Sequence, residues 1–195
     1  MLSSPNKSNN LILAVYQDYR TVYRLRDIAL LLGEDNFVSI NQKLNYYVHT
    51  GKLQNPRKGI YTKQDYNPEE MACVLYSPSY ISMDYVLQKA GITFQYDSRI
   101  TVATYLSRSI EVGNQAYGFH KIKGDVLVNT MGIIRQKNHI NTACPERAFL
   151  DQLYLYPNYF FDSINPLSKE LVYQLLTMYQ SNEMTKRVNK IFQDV

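Results

Sequence analysis

The chain of 195 residues contains no tryptophan, two cysteines and three histidines. Cys73 and Cys144 are far apart and form no Cys-x-x-Cys pair, so we expect two reduced thiols rather than a metal or redox centre. His49, His120 and His139 show neither HxxxH nor HExxH spacing, which argues against a zinc site. The glycine-rich loops GxxxxGK[ST] and GxGxxG are also missing. We therefore expect no cofactor and no enzymatic activity.

Long apolar runs are missing as well, since none approaches the roughly 20 residues that span a bilayer. The first residues, MLSSPNKSNNLILAVY, lack the charged start, long apolar stretch and small-residue site of a signal peptide. The hydrophobic content of 45% and charged content of 19% are those of a globular protein. We therefore expect no membrane partner and a cytoplasmic location.

The net charge of +4 is unevenly distributed along the chain. Residues 1–66 hold nine Lys or Arg against five Asp or Glu, whereas residues 67–195 hold twelve of each. All of the excess positive charge therefore lies in the N-terminal third, which is typical of a small module that attracts phosphates.

The order of elements in residues 1–66 predicts a winged helix-turn-helix DNA-binding domain. A helical pattern over residues 10–19 is followed by a β-branched, aromatic segment at 21–24, which predicts a short strand. A second helix, with Ile28, Leu31 and Leu32 on one face, ends at Gly33. A long helix then begins at about Phe37 and a hairpin follows it, and in such modules this last helix enters the major groove.

The helix over residues 38–50 has two different faces. The inner face is predicted to comprise Phe37, Ile40, Leu44, Tyr47 and Val48. The opposite face carries candidate DNA-binding side chains at spacings of three and four, namely Ser39, Gln42, Lys43, Tyr46 and His49. Gln can bind adenine in a bidentate way, and Lys can reach guanine or phosphate. Periodicity alone favours an ordinary solvent-exposed helix face over a DNA-reading face. The adjoining hairpin reverses that preference.

The hairpin is predicted to have strands at 52–55 and 59–62 and a tip, NPRKG, set by proline and glycine. Arg57 and Lys58 would project from this tip and bind phosphate or enter the minor groove, and Lys52 lies at the base. Arg24 and Arg26, just before the second helix, are candidate contacts to the DNA backbone. Such contacts release counterions, so binding should weaken steeply with salt.

Residues 67–195 predict a second domain of α+β class, with helices flanking a small antiparallel sheet. Pro68 suits the first position of a helix, Ser82 is the predicted cap of a helix that ends at Gly91, and residues 145–155 are strongly amphipathic. Strands are predicted at 101–106, 109–112 and 117–122, with another beginning at Ile133. The pair Arg147 and Asp151 has the spacing of an ordinary helix ion pair.

Several runs resemble the AbiEi family, the antitoxins of type IV toxin–antitoxin systems. They are GIYTK, NPEEMACVLYSPSYISMDYVLQKAGI, YGFHKI and INTACPERAFLDQLYL, and the resemblance as a whole spans nearly the whole chain. The resemblance implies an N-terminal winged helix that represses the protein's own operon by binding operator DNA. It also implies a C-terminal domain that counteracts a co-encoded nucleotidyltransferase-like toxin. Inverted repeats in the operator would imply that two copies bind as a dimer on DNA.

Two alternatives from other functional classes stay open. The chain fits a transcription regulator whose second domain senses a ligand or dimerises. Less well, it fits a metal-dependent nuclease that assembles Asp125, Glu146 and Asp151 with Lys121 and Lys123. The strand carrying Tyr117, Phe119, His120 and the same two lysines could bind nucleic acid by stacking and charge, although inward aromatic and outward basic residues explain the pattern equally well.

Overall fold

The computed structural model describes residues 7–193, with side chains from Leu11 onwards. The chain divides into two compact units, the first comprising residues up to Val74 together with Lys137–His139, and the second comprising the remainder. Residues 67–74 thus belong to the first unit. The N-terminal domain predicted for residues 1–66 includes residues 1–6, which lie outside the described part of the chain.

The first unit combines helices with a small sheet. Its elements, in chain order, are α1 (Lys7–Gln17), β1 (Val22–Arg24), α2 (Leu25–Leu32), α3 (Phe37–His49), β2 (Gln54–Arg57), β3 (Ile60–Thr62) and α4 (Pro68–Leu75), whose last residue belongs to the second unit. The strands form an antiparallel sheet of order β1-β3-β2, in which Tyr23 pairs with Tyr61. The predicted element order from residue 21 to residue 62 is confirmed.

One apolar core holds these helices and strands together. It is formed by α1, β1, α2, α3, β3 and the residue before β2, and it comprises Leu11, Val15, Tyr23, Ile28, Ala29, Ile40, Leu44, Tyr47, Leu53 and Tyr61. The spacing of three and four between Ile40, Leu44 and Tyr47 places all three on one face of α3. Gly33 ends α2 with φ of 60°, a left-handed conformation that glycine adopts without strain.

A buried carboxylate of α4 binds the beginning of β1. Glu70 is 2% exposed and accepts hydrogen bonds from Thr21 N at 2.5 Å, Thr21 Oγ1 at 3.0 Å and Val22 N at 3.1 Å. Asn138 Nδ2 donates a fourth, at 2.9 Å. This carboxylate therefore accepts from the backbone amides of Thr21 and of Val22, the first residue of β1.

We predict that Glu70→Ala lowers the free energy of unfolding of the first unit. The substitution leaves buried donors without an acceptor, which costs about 1–3 kcal/mol. Urea denaturation followed by circular dichroism measures the change, with Asp65→Ala, at an exposed loop position, as the control. Equal midpoints for the two variants would contradict the role given to Glu70.

The second unit is built on a sheet of six strands that is flanked by helices. Its elements are β4 (Ser79–Ile81), α5 (Asp84–Lys89), β5 (Ile100–Thr104), β6 (Arg108–Val112), β7 (Gln115–Lys121), α6 (Gly124–Val128), β8 (Ile133–Arg135), β9 (Asn141–Ala143), α7 (Pro145–Leu155), α8 (Lys169–Leu176), a 3₁₀ turn (Thr177–Tyr179) and α9 (Asn182–Gln193). The strand order is β6-β7-β5-β4-β9-β8. The α+β class is therefore confirmed for the chain.

The sheet differs from the small antiparallel sheet that the sequence predicts. It is mixed, because β5 pairs with β7 and β4 with β9 in parallel. The three-residue strands β4 and β9 are too short to show an alternating pattern, and β4 directly follows the Ser77-Pro78 break. Parallel pairing also leaves no local turn signal between the partners.

A polar network lies inside the second unit, centred on Arg147 and Asp151 of α7. Both side chains are fully buried, and Arg147 Nε lies 3.4 Å from Asp151 Oδ1. The Arg147 guanidinium also donates to the carbonyl oxygens of Val126 at 2.6 Å and Met131 at 2.8 Å. Ser82 Oγ donates to Asp151 at 2.7 Å. The ion pair predicted from the spacing of Arg147 and Asp151 is therefore confirmed, but it lies in the core of the second unit.

The prediction that Ser82 caps a helix is wrong. Helix α5 begins at Asp84, and its N-cap is Met83, which has a positive φ of 58°. Ser82 itself is buried, and its hydroxyl is used by Asp151. A serine near the start of a helix fits the residue preference for an N-cap. Here the Ser82 hydroxyl instead donates to the buried carboxylate of Asp151.

Candidate nucleic-acid interface

Helix α3 presents a polar face to solvent. The Asn36 side chain caps its first turn by accepting a hydrogen bond from Ser39 N at 3.0 Å. Gln42, Tyr46 and His49 are exposed, whereas Ser39 and Lys43 are half-buried. Lys43 Nζ lies 3.2 Å from Glu34 Oε2, so part of its charge is already neutralised within the unit.

The buried face of α3 is smaller than the sequence predicts. Ile40, Leu44 and Tyr47 are buried and Val48 is half-buried, but the side chain of Phe37 is 48% exposed. Phe37 is the first helical residue, so it lies at the end of the apolar stripe, where the core does not cover it. The prediction that Phe37 faces inward is therefore wrong.

Asn45 belongs to the exposed face of α3 and is missing from the sequence-based candidates. It is exposed, and it lies three residues after Gln42 and four residues before His49, a spacing that places all three on neighbouring positions of the helix surface. This spacing could have identified it. Its amide has the same capacity as that of Gln42 to bind adenine in a bidentate way.

The chain turns sharply after α3 and places Lys52 beside the helix. Gly51 has φ of 69°, which favours glycine, and the amides of Lys52 and Leu53 both donate to Tyr47 O. Lys52 Nζ lies 5.7 Å from the centre of the Tyr47 ring, and Tyr16 donates to Lys52 O at 2.7 Å. These contacts fix the backbone of Lys52 and leave its side chain exposed.

The hairpin that follows has a tighter turn than the sequence predicts. Strand β2 runs from Gln54 to Arg57, and Arg57 pairs with Ile60, so the turn itself consists of Lys58 and Gly59. Asn55 Nδ2 binds the turn by donating to Arg57 O at 3.0 Å and to Ile60 O at 2.7 Å. Arg57 is half-buried and Lys58 is exposed.

The two arginines near the start of α2 have different environments. Arg24 is the N-cap residue and half-buried, its guanidinium donates to Val74 O, and its amide donates to Asp27 Oδ2 at 2.7 Å. Arg26 is exposed. Arg26 is therefore the more accessible of the two for a backbone phosphate.

Three basic side chains of α2 and the hairpin have no acidic partner among the described residues. Asp18 forms an ion pair with Arg20 at 2.7 Å, and Arg20 holds the pKa of Asp18 below its usual value even though burial opposes that shift. Glu34 is paired with Lys43. In the part of the chain that the structure describes, the side chains of Arg26, Arg57 and Lys58 form no ion pair or hydrogen bond. Positive charge thus stays available at α2 and at the hairpin turn.

The residues of the nuclease alternative have separate partners. Asp125 pairs with Lys123 at 3.4 Å, Glu146 Oε1 accepts from Ser168 N at 3.0 Å, and Asp151 lies in the buried network. Among residues 7–193, no group of three or more His, Cys, Asp or Glu side chains is placed to hold a metal ion.

The strand considered for base stacking has its large aromatic side chains turned inward. Tyr117 and Phe119 of β7 are buried, and their rings stack at a centroid distance of 6.3 Å. Lys121 is exposed and His120 is half-buried. The alternation of inward aromatic and outward basic residues thus follows the pleat of the sheet.

No family model matches the chain, and no curated protein matches it. Over the described residues, no helix has both the length and the apolar character needed to cross a membrane.

The two cysteines are free, and burial raises the pKa of the Cys144 thiol to about 11.

Proposed function

We propose that the first unit is a winged helix-turn-helix that binds DNA, with α3 in the major groove and the β2–β3 hairpin as the wing. The observation that carries this proposal is a hairpin with two cations unpaired among the described residues, Arg57 and Lys58, directly after the exposed polar face of α3. Lys58 occupies a turn of only two residues, which limits the positions that its ammonium group can reach. A basic hairpin directly after an exposed polar helix is the arrangement that reads one groove and binds the flanking phosphates.

The polar face of α3 has the chemistry needed for base readout. Its 13 residues correspond to about 20 Å of helix, and the major groove is about 12 Å wide, enough to admit a helix. Gln42 and Asn45 supply amides for adenine, and His49 and Lys52 follow at the C-terminal end. Ser39 and Lys43 are less exposed, and Lys43 is paired with Glu34, so we assign both to phosphate contacts at the edge.

The biological role that we propose is that of an antitoxin and transcriptional autorepressor of the AbiEi type. It rests on the resemblance of the runs SPSYISMDYVL and ACPERAFLD. In this role the first unit binds operator DNA upstream of its own reading frame, and the second unit counteracts a co-encoded nucleotidyltransferase-like toxin. Co-expression with the neighbouring gene tests the role: growth arrest by that gene should disappear when this chain is present.

We predict that Gln42→Ala changes the sequence preference of DNA binding more than its general affinity. Loss of a bidentate amide contact costs about 1–3 kcal/mol of discrimination at one base pair, whereas phosphate contacts stay intact. Gel-shift titration against the upstream DNA and against DNA of scrambled sequence measures both quantities. Gln174→Ala, at an exposed position on α8, is the matched control. Equal weakening on both DNAs would place the reading face elsewhere.

A further inference from the structure

A cleft of about 570 Å³ lies in the second unit, next to the C-terminal end of α7. Its walls include a carboxylate, a guanidinium, an amide and two phenol rings, from Asp84, Arg99, Gln152, Tyr156 and Tyr159. The volume falls within the range of roughly 300–1,000 Å³ that small-molecule sites occupy. None of these residues takes part in the DNA-binding proposal.

The amide of Gln152 has an unused acceptor. The residue is 1% exposed, and its Nε2 donates to Asp84 Oδ2 at 3.4 Å. This contact sets the orientation of the amide, because the opposite orientation would place two oxygens against each other. Within the described residues, Oε1 then has no donor. A buried amide oxygen without a donor is unfavourable, so a ligand N–H that reached it would remove that penalty.

Asp84 adds negative charge beside this acceptor. Its Oδ1 accepts a hydrogen bond from Tyr159 OH at 2.5 Å, and its Oδ2 accepts the bond from Gln152. No Lys, Arg or His side chain forms an ion pair with Asp84 among the residues described. A carboxylate next to an unpartnered amide oxygen is suited to an ammonium group, which carries three donors and a positive charge.

Arg99 adds a positive charge to the same cleft. Its Nε and Nη2 are bound to Asp97, with the closest contact at 2.6 Å. The remaining nitrogen, Nη1, has no acceptor in the described part of the chain, and the side chain is 53% exposed. A guanidinium that is held on one edge and open on the other can bind a carboxylate with little loss of side-chain freedom.

The aromatic wall completes the cleft. Tyr156 is 43% exposed, and its hydroxyl lies 3.3 Å from His120 Nδ1. Burial lowers the pKa of His120 below its usual value, although Asp84 acts in the opposite direction, so the imidazole is neutral at neutral pH. No histidine cation therefore competes for Asp84, and the phenol faces stay available to an ammonium or an apolar side chain.

The geometry points to a binding site for a zwitterionic small molecule of the amino-acid class. Its ammonium group would be bound by Asp84 and by Gln152 Oε1, and its carboxylate by Arg99. Its side chain would lie against Tyr156 and Tyr159. This site is independent of the proposed DNA-binding function, because it can be measured without DNA and with no partner present.

The test uses the full chain and pools of the L-amino acids at millimolar concentration. Differential scanning fluorimetry should show at least one pool that raises the melting temperature, and calorimetry with its single members should give saturable binding. The N-acetyl derivative, which lacks the ammonium group, and the decarboxylated amine should each bind at least tenfold more weakly. If no amino acid binds, or if the amine or a nucleoside monophosphate binds equally well, the inference is overturned.

Exposed arginines provide the variant and its control. Arg99→Gln should weaken binding of the active amino acid at least tenfold and leave binding of its decarboxylated amine unchanged. Arg108→Gln, at an exposed position of β6, should change neither. Both residues are exposed, so folding is expected to be retained and is checked by circular dichroism. If both variants bind the amino acid equally well, Arg99 does not bind its carboxylate, and the assignment of a zwitterionic ligand is contradicted.

Discussion

Replacement of Arg147 by methionine should lower the free energy of unfolding of the second unit by about 3–5 kcal/mol, the cost of breaking a buried ion pair from one side. Both Arg147 and Asp151 are fully buried. Methionine fills a similar volume but leaves the carboxylate without its cation. For a domain with a typical stability of roughly 5–15 kcal/mol, this loss is a large fraction of the total.

The size of the effect follows from the number of groups that depend on one guanidinium. Arg147 donates to Val126 O, to Met131 O and, at 2.9 Å, to Tyr80 OH. Burial alone would lower the pKa of Arg147, but Asp151, Tyr179 and Tyr80 around it reverse that shift and raise it. The guanidinium thus stays charged in the core, and its removal leaves carbonyl acceptors in α6 and in the segment between α6 and β8 without a donor.

Urea denaturation of the full chain measures this loss, and two further variants identify its cause. Arg147→Met combined with Asp151→Leu should recover part of the stability, because it also removes the uncompensated charge. Lys186→Ala breaks the exposed pair with Glu183 and should leave the unfolding midpoint unchanged. A similar midpoint for Arg147→Met and Lys186→Ala would show that the buried network contributes little.

The same residues show how far a sequence can predict a core. The spacing of Arg147 and Asp151 correctly places them one helical turn apart on α7, but it contains no information about which face of α7 is covered. In the run PERAFLDQLYL each of the two positions has one polar and one apolar neighbour, and the acceptors of the guanidinium come from residues 16 and 21 positions earlier in the chain. Only the tertiary arrangement brings these carbonyl groups together.

The first unit is more predictable because its signals are local. Gly33, Asn36 and Gly51 mark helix ends by their own backbone or side-chain chemistry, and Ile40, Leu44 and Tyr47 mark the buried face by spacing. The exposed positions of α3 follow from the same period. The pairing of Lys43 with Glu34 and the half-buried position of Arg24 did not follow from it, because both depend on neighbours outside the helix.

Removal of the two positive charges at the hairpin should give the largest change in DNA affinity. Each phosphate contact contributes about 0.9 to the slope of log affinity against log salt, so loss of Arg57 and Lys58 should flatten that slope by roughly 1.8. At about 0.1 M salt this corresponds to binding that is roughly 60-fold weaker.

The double variant Arg57→Ala with Lys58→Ala is measured by gel shift or fluorescence anisotropy from about 0.05 to 0.2 M salt, the range over which such contacts are resolved. Lys121→Ala with Lys123→Ala, which also removes two exposed positive charges but from the second unit, is the matched control and should leave the slope unchanged. If both double variants flatten the slope equally, the effect is one of net charge, and the hairpin is not a wing.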